Sequence, residues 1–281
     1  MRTGDIDAKF GANKNLPLSI PAERNVLNIF PDMNADANDP KSYNFGPTDR
    51  LIDSIKGVGA ETIFRIGRSI GADPTPPADM DKYAQIARHI VLHYNQGWDH
   101  GFDYGLRYWE VWNEPDFRVF WTGTPQQYYE LYEKVAHAIK EADPKALIGG
   151  PTISKPLDAT PYREGFLEFV SAKKLPLDFF AWHCHTMDSN DPQTLVDIGN
   201  EICSLLDAHG FNSTKTFWTS GTLTCSIASC RRPGAPRLQS LRSSICSTRR
   251  LICRPITVPI PRSGPATASP LPLVPRSRHT A

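Results

Sequence analysis

The stretch Tyr108-Trp109-Glu110-Val111-Trp112-Asn113-Glu114-Pro115 decides the reading of this chain. Apolar and aromatic residues run up to Asn-Glu-Pro and stop there. Strands of a parallel sheet are covered on both faces, so they read as nearly continuous apolar runs. Proline at 115 cannot donate to a ladder and marks the strand's end. It also restricts the backbone of Glu114 before it. The pattern is that of a buried strand delivering a carboxylate to the rim of a sheet. In barrel enzymes the reacting groups sit at the C-terminal ends of the strands. Glu114 is therefore the candidate acid/base. An ordinary strand-to-loop turn is the plainer alternative for Asn-Glu-Pro taken alone.

Strands and helices alternate outward from this stretch. Upstream, Thr48 is placed to cap a helix carrying Leu51, Ile52 and Ile55, and Glu61–Gly67 reads as a short strand. Residues 80–95 put Tyr83, Ile86, Ala87, Ile90, Val91 and Tyr94 on one helical face. Downstream, Thr124-Pro125-Gln126-Gln127 is a capping box with proline at the first helical position. Strands are expected at 146–151 and 177–185, and helices at 162–173 and 192–209. A further strand begins at Thr216. This alternation argues for parallel βαβ units. The long loops after the strands favour a (β/α)₈ barrel, with a doubly wound open sheet as the alternative. No Gly-x-Gly-x-x-Gly follows a strand, so dinucleotide binding has no signature.

Charge divides the chain in two. It has 281 residues and a formal net charge of +1. Residues 221–281 hold ten Arg, no Asp, Glu or Lys, and no aromatic ring, which leaves a net charge of −9 on residues 1–220. The tail shows neither helical nor strand periodicity. It reads as low-complexity and disordered. Its arginines could suggest nucleic acid, but it lacks aromatics to stack bases, so no nucleic-acid partner is expected. No apolar run reaches the roughly 18–20 residues of a membrane span, and the first residues lack the apolar core of a signal peptide. Cys184 and Cys203, the two cysteines outside the tail, are too few for a disulfide framework.

Other groups join Glu114. His183 and His185, at i and i+2 of a strand, share one face. They could position substrate or a partner carboxylate, or be packed structural residues. They could also bind a metal, but that needs a third ligand, which the sequence does not name; no metal or cofactor is expected. Asn113 offers an amide to a substrate hydroxyl. Trp98, Trp112, Trp121 and Trp182 could stack on sugar rings, although most aromatics are core.

These residues carry a resemblance. Trp109-Glu-Val-Trp-Asn-Glu-Pro-Asp116 resembles the acid/base motif of clan A glycoside hydrolases. The flanking blocks are similar to glycoside hydrolase family 39, the β-xylosidase and α-L-iduronidase family. Those blocks are Ser42–Phe45 with Thr48-Asp49, Phe64–Gly67, His93–Asn95 with Gly97-Trp98, Phe120–Thr124, Tyr128–Tyr132, Gly149–Pro151 and Trp182-His183. The resemblance covers residues 2–218. It implies a (β/α)₈ barrel, a retaining mechanism and a carbohydrate substrate such as a β-xyloside. By the same likeness Glu114 is the acid/base, Asn113 meets the sugar 2-hydroxyl, and His183 lines the site. His185 stands where the family often has Tyr, and Trp121 is a further candidate for substrate contact.

Three departures qualify the likeness. Gly4, in Met1-Arg-Thr-Gly-Asp5, stands where relatives commonly have His at the end of the second strand. The chain starts at that strand, so the first strand and the true N-terminus are expected to be missing. Retaining hydrolysis also needs a second carboxylate about 5–5.5 Å from the first. The family places it on the seventh strand, in a Glu-Trp-Asn context. Here that strand reads Thr216-Phe-Trp-Thr-Ser-Gly-Thr222, without an acid. One permitted codon set for Phe217–Thr222 is TTC TGG ACG AGT GGA ACC. Read from its third base, it becomes CTG GAC GAG TGG AAC, or Leu-Asp-Glu-Trp-Asn. A frameshift or mis-spliced gene near Phe217 is therefore expected, with the tail as out-of-frame translation.

The resulting expectation is an α/β chain. Residues 1–220 form an incomplete (β/α)₈ TIM barrel of the glycoside hydrolase type, and residues 221–281 a disordered basic C-terminal tail. It is expected to be inactive for want of the nucleophile. A carbohydrate-binding pseudoenzyme and a basic-tailed nucleic-acid binder are the readings from other classes.

Overall fold

The computed structural model describes residues 7–8, 27–57, 59–67, 73–186 and 193–223. The Met1–Asp5 motif lies outside this range, except that its neighbours Asp7–Ala8 (β1) pair antiparallel with Leu27–Asn28 (β2). The tail beyond residue 223 also lies outside it.

Five parallel strands make the main sheet: β3 (Ile63–Ile66), β4 (Tyr108–Val111), β5 (Leu147–Ile153), β6 (Phe179–Thr186) and β7 (Lys215–Leu223). Their spatial order is their order in the chain, and each neighbouring pair is parallel. A doubly wound sheet reverses its strand order at a switch point. This sheet never does so, which decides for the barrel type.

Helices fill the crossovers. α1 (Gly46–Gly57) precedes β3; α2 (Met80–Gln96), α3 (Pro125–Ala142), α4 (Phe166–Lys173) and α5 (Gln193–Ala208) follow successive strands. Local chemistry fixes their ends. The Asp79 carboxylate accepts from the Lys82 N–H at 2.9 Å to start α2, and Gly97, left-handed at φ 72°, closes it. At α3 the expected capping box is present: Gln127 N–H donates to Thr124 Oγ1 at 3.2 Å, and Thr124 N–H donates to Gln127 Oε1 at 2.8 Å. Three expectations shift. α1 begins at Gly46, so Thr48 is a buried helical residue rather than its cap. The segment at 162–173 is a single π-helical turn, Pro161–Gly165, leading into α4. β7 also runs on to Leu223, past Trp218, where the sequence pattern fades.

The two faces of the sheet bury different things. Phe64, Ile66, Trp109, Val111, Ile148, Phe180 and Trp182 pack with the helices in the main core. The opposite face gathers Ile63, Tyr108, Phe179 and Ala181, with Leu147 and Phe217 against them. Phe179 stacks on Phe217 with ring centroids 4.9 Å apart. The close packing forces small residues nearby. A Cβ on Gly149 would come within 2.3 Å of the Phe179 ring. Above this layer the same face carries Arg65, Glu110, His183 and His185, by the alternation of each strand.

Candidate active site at the C-terminal end of β4

The site begins where β4 leaves the sheet. Trp112 (φ 67°) and Glu114 (φ 43°) are both left-handed, which is uncommon for residues with side chains. Three contacts hold this turn. Trp112 N–H donates to the Ile66 carbonyl at 2.8 Å, and Glu114 N–H donates to the Thr152 carbonyl at 3.0 Å. Gly67 admits the Trp112 backbone, since a Cβ there would lie 2.8 Å from Trp112 Cα. The turn is thus tied to both neighbouring strands, β3 and β5, and aims Glu114 across the sheet.

Asp116 adds a clamp. Its carboxylate accepts from Ser154 N–H at 2.9 Å, Ser154 Oγ at 3.0 Å and Lys155 N–H at 3.0 Å. Burial pushes the Asp116 carboxyl above its ordinary range, against the opposing pull of these donors. Hydrogen bonds to a charged group contribute about 1.5–3 kcal/mol each. Asp116→Ala is expected to lower folding stability by about 2–3 kcal/mol, measured by urea unfolding. An unchanged midpoint would show that the clamp is not needed.

Glu114 is buried, and its Oε1 is hydrogen-bonded to His183 Nδ1. The two residues are 69 positions apart in sequence. His183 is buried as well, and its Nε2 has no partner among the described residues; neither has Asn113 Oδ1. His185 is exposed on the same strand face, with its ring centroid 6.1 Å from that of His183. Asn113, Glu114, His183 and His185 therefore converge on one strand-end region. A buried carboxylic acid held by an imidazole, beside an open amide and an exposed ring, can donate and take a proton and hydrogen-bond a hydroxylated ligand.

Trp121 is placed otherwise. It is 2% exposed, lies edge-on to Trp112 at 5.1 Å, and donates from Nε1 to the Thr124 carbonyl at 3.2 Å. Trp112 is fully buried, and Trp109 faces the helices. These rings brace the strand end. Among the described Phe, Tyr and Trp residues, the exposed rings are Phe117 and Trp218, at 46% and 44%.

One charged pair escaped the sequence reading. Arg65 Nε donates to Glu110 Oε2 at 2.6 Å, with the Glu110 side chain wholly buried. The two residues are register partners on β3 and β4. The available signal was a charge at the middle of each apolar run, Phe64-Arg65-Ile66 and Trp109-Glu110-Val111. Several of the sequence blocks prove to be scaffold. Tyr94 and His93 both reach Asp49, Phe45 stacks on His93, and Asn95 pins Leu106 through both backbone groups.

A sequentially ordered parallel sheet with an acid, an amide and two imidazoles at its C-terminal edge has the layout of a barrel enzyme, whose site is built at the strand ends. Comparison with known proteins narrows this. The family model of glycosyl hydrolases family 39 matches residues 27–203, and the chain belongs to that family. It is 28% identical over 187 residues to a beta-xylosidase of Geobacillus stearothermophilus, covering 60% of this chain and 36% of the relative. It is 31% identical over 137 residues to a beta-xylosidase of Caldicellulosiruptor saccharolyticus, covering 46% of this chain and 25% of the relative. The chain thus spans well under half the length of either. Among solved structures, a glucosidase from Croceicoccus marinus is 38% identical with a TM-score of 0.68, over 70% of this chain and 42% of that one. A monomeric beta-xylosidase from Caulobacter crescentus shares the fold, with a TM-score of 0.56 at 20% identity over 66% of this chain and 42% of that one. No helix among the described residues is long and apolar enough to cross a membrane.

Proposed function

We propose that this chain carries the acid/base half of a retaining glycoside hydrolase that cleaves O-glycosidic bonds of β-xylosides or related glycosides. Glu114 protonates the glycosidic oxygen and later activates water. His183 orients the Glu114 carboxyl through the hydrogen bond at Oε1. Asn113 offers its unpartnered Oδ1 to a sugar hydroxyl. His185 and Trp121 complete the proposed substrate side, His185 by contact and Trp121 by bracing the strand end. The observation that carries this reading is the buried Glu114–His183 pair at the C-terminal edge of a barrel sheet.

The chain itself is proposed to be inert in hydrolysis, because its second carboxylate is missing. β7 pairs with β6 so that Trp218 lies opposite Trp182 and Ser220 opposite His183, leaving Thr219 as an extra residue at a bulge. Thr219 Oγ1 is buried without a partner among the described residues. β7 reads Lys-Thr-Phe-Trp-Thr-Ser-Gly-Thr-Leu, with no acid. A hydroxyl here cannot do the work of a carboxylate nucleophile unless a base activates it. The frame displacement near Phe217 accounts for the missing carboxylate and the acid-free tail together.

The assay is the pure chain on aryl β-xylosides. No turnover above background is expected, and normal turnover sensitive to Glu114→Gln would overturn the inert reading. Aryl glucosides belong in the same assay, since the glucosidase at 38% identity favours a glucose-type substrate as the second reading. Saturable sugar binding without turnover would favour the binding pseudoenzyme.

A further inference from the structure

Two histidines on one strand face suggest metal chemistry only if a third ligand exists, and the fold supplies one. Glu114, His183 and His185 each offer a ligand atom, and these atoms lie within 4.8 Å of one another. We propose that these three side chains form a binding site for a late divalent transition ion of the Zn²⁺ type. Two imidazoles and one carboxylate are a ligand set that Zn²⁺ takes, with further positions left open. Imidazole ligands also select against Mg²⁺ and Ca²⁺, which prefer oxygen.

An independent observation points the same way. His183 Nε2 is buried with no partner among the described residues, so this imidazole has coordinating capacity that they do not use. The access route is equally plain, because His185 is exposed. Metal–nitrogen bonds of about 2.0–2.1 Å in a tetrahedral site set ligand atoms about 3.4 Å apart. To bind, the ion must open the hydrogen bond between Glu114 and His183, and the exposed His185 ring must turn in to close the remaining gap.

Binding has a consequence that rests on the acid/base reading of Glu114. A carboxylate held by the ion no longer carries the proton for the glycosidic oxygen. In a chain with its nucleophile restored, the bound ion would therefore block the reaction rather than serve it.

The test is Zn²⁺ titration of the full chain by calorimetry, after its accessible cysteines have been alkylated under native conditions, which spares the buried Cys184. One Zn²⁺ per chain is expected. His185→Ala and Glu114→Gln should each weaken binding by roughly tenfold or more, while His137→Ala, at an exposed position on α3, leaves it unchanged. Far-UV circular dichroism checks that His185→Ala keeps its fold. No Zn²⁺ binding by the alkylated chain, or full affinity in a folded His185→Ala chain, overturns the proposal. The readout contains no sugar, so its failure leaves the acid/base reading to be judged by the hydrolysis assay alone.

Discussion

Shifting the reading frame at Phe217, so that β7 encodes Leu-Asp-Glu-Trp-Asn, and supplying the first strand expected upstream of Met1, is expected to turn an inert chain into one that hydrolyses aryl β-xylosides. In that restored chain, Glu114→Gln should lower kcat by about 10²–10⁴-fold. The amide keeps the size of the carboxyl and its hydrogen bond to His183, but has no proton to give. A substrate with a very good leaving group needs less protonation, so its first step should suffer least. This pattern separates an acid/base from a residue that only shapes the site. Restoration that yields a folded but inactive protein would count against the frame hypothesis. So would a transcript whose codons at Phe217–Thr222 do not encode Glu-Trp-Asn in a shifted frame.

Arg65→Met should destabilise the chain by about 3–5 kcal/mol, because it leaves the wholly buried Glu110 carboxylate unpaired. Glu110 Oε1 lacks a partner among the described residues, so the Arg65 contact at Oε2 carries most of its compensation. Native stability is only about 5–15 kcal/mol, so this one substitution should cut deeply into it. The double replacement Arg65→Met with Glu110→Leu should recover much of the loss, since an apolar pair of similar volume requires no desolvated charge. Urea unfolding of the three proteins checks both statements. Equal stability of Arg65→Met and the parent would show that Glu110 is held by something other than Arg65.

The helices were the most legible elements, because their signals are local. The Thr124-Pro-Gln-Gln127 box starts α3 as the sequence requires, and α2 buries the face that its 3.6-residue period selects. Strand existence was equally plain, but strand ends were not. β7 runs on to Leu223 through Thr-Ser-Gly-Thr, where Ser and Gly interrupt the strand pattern, because pairing with β6 holds them. Thr48 looks like a cap in sequence and is buried inside α1. Here tertiary packing outweighed local preference.

The site divides in the same way. The sequence by itself determined that Glu114 ends a buried strand, that Asn113 stands beside it, and that His183 and His185 share one face. Periodicity and the proline at 115 suffice for each of these. Only the tertiary structure decided which groups meet. The partner of Glu114 is 69 residues away, and Glu110 finds Arg65 across 45. Those pairings depend on the register of parallel strands joined through helices, which no local pattern encodes. The loop after β4 folds Trp121 into the core against Trp112, and the strand register makes the carboxylate of the opening stretch the third member of a histidine cluster.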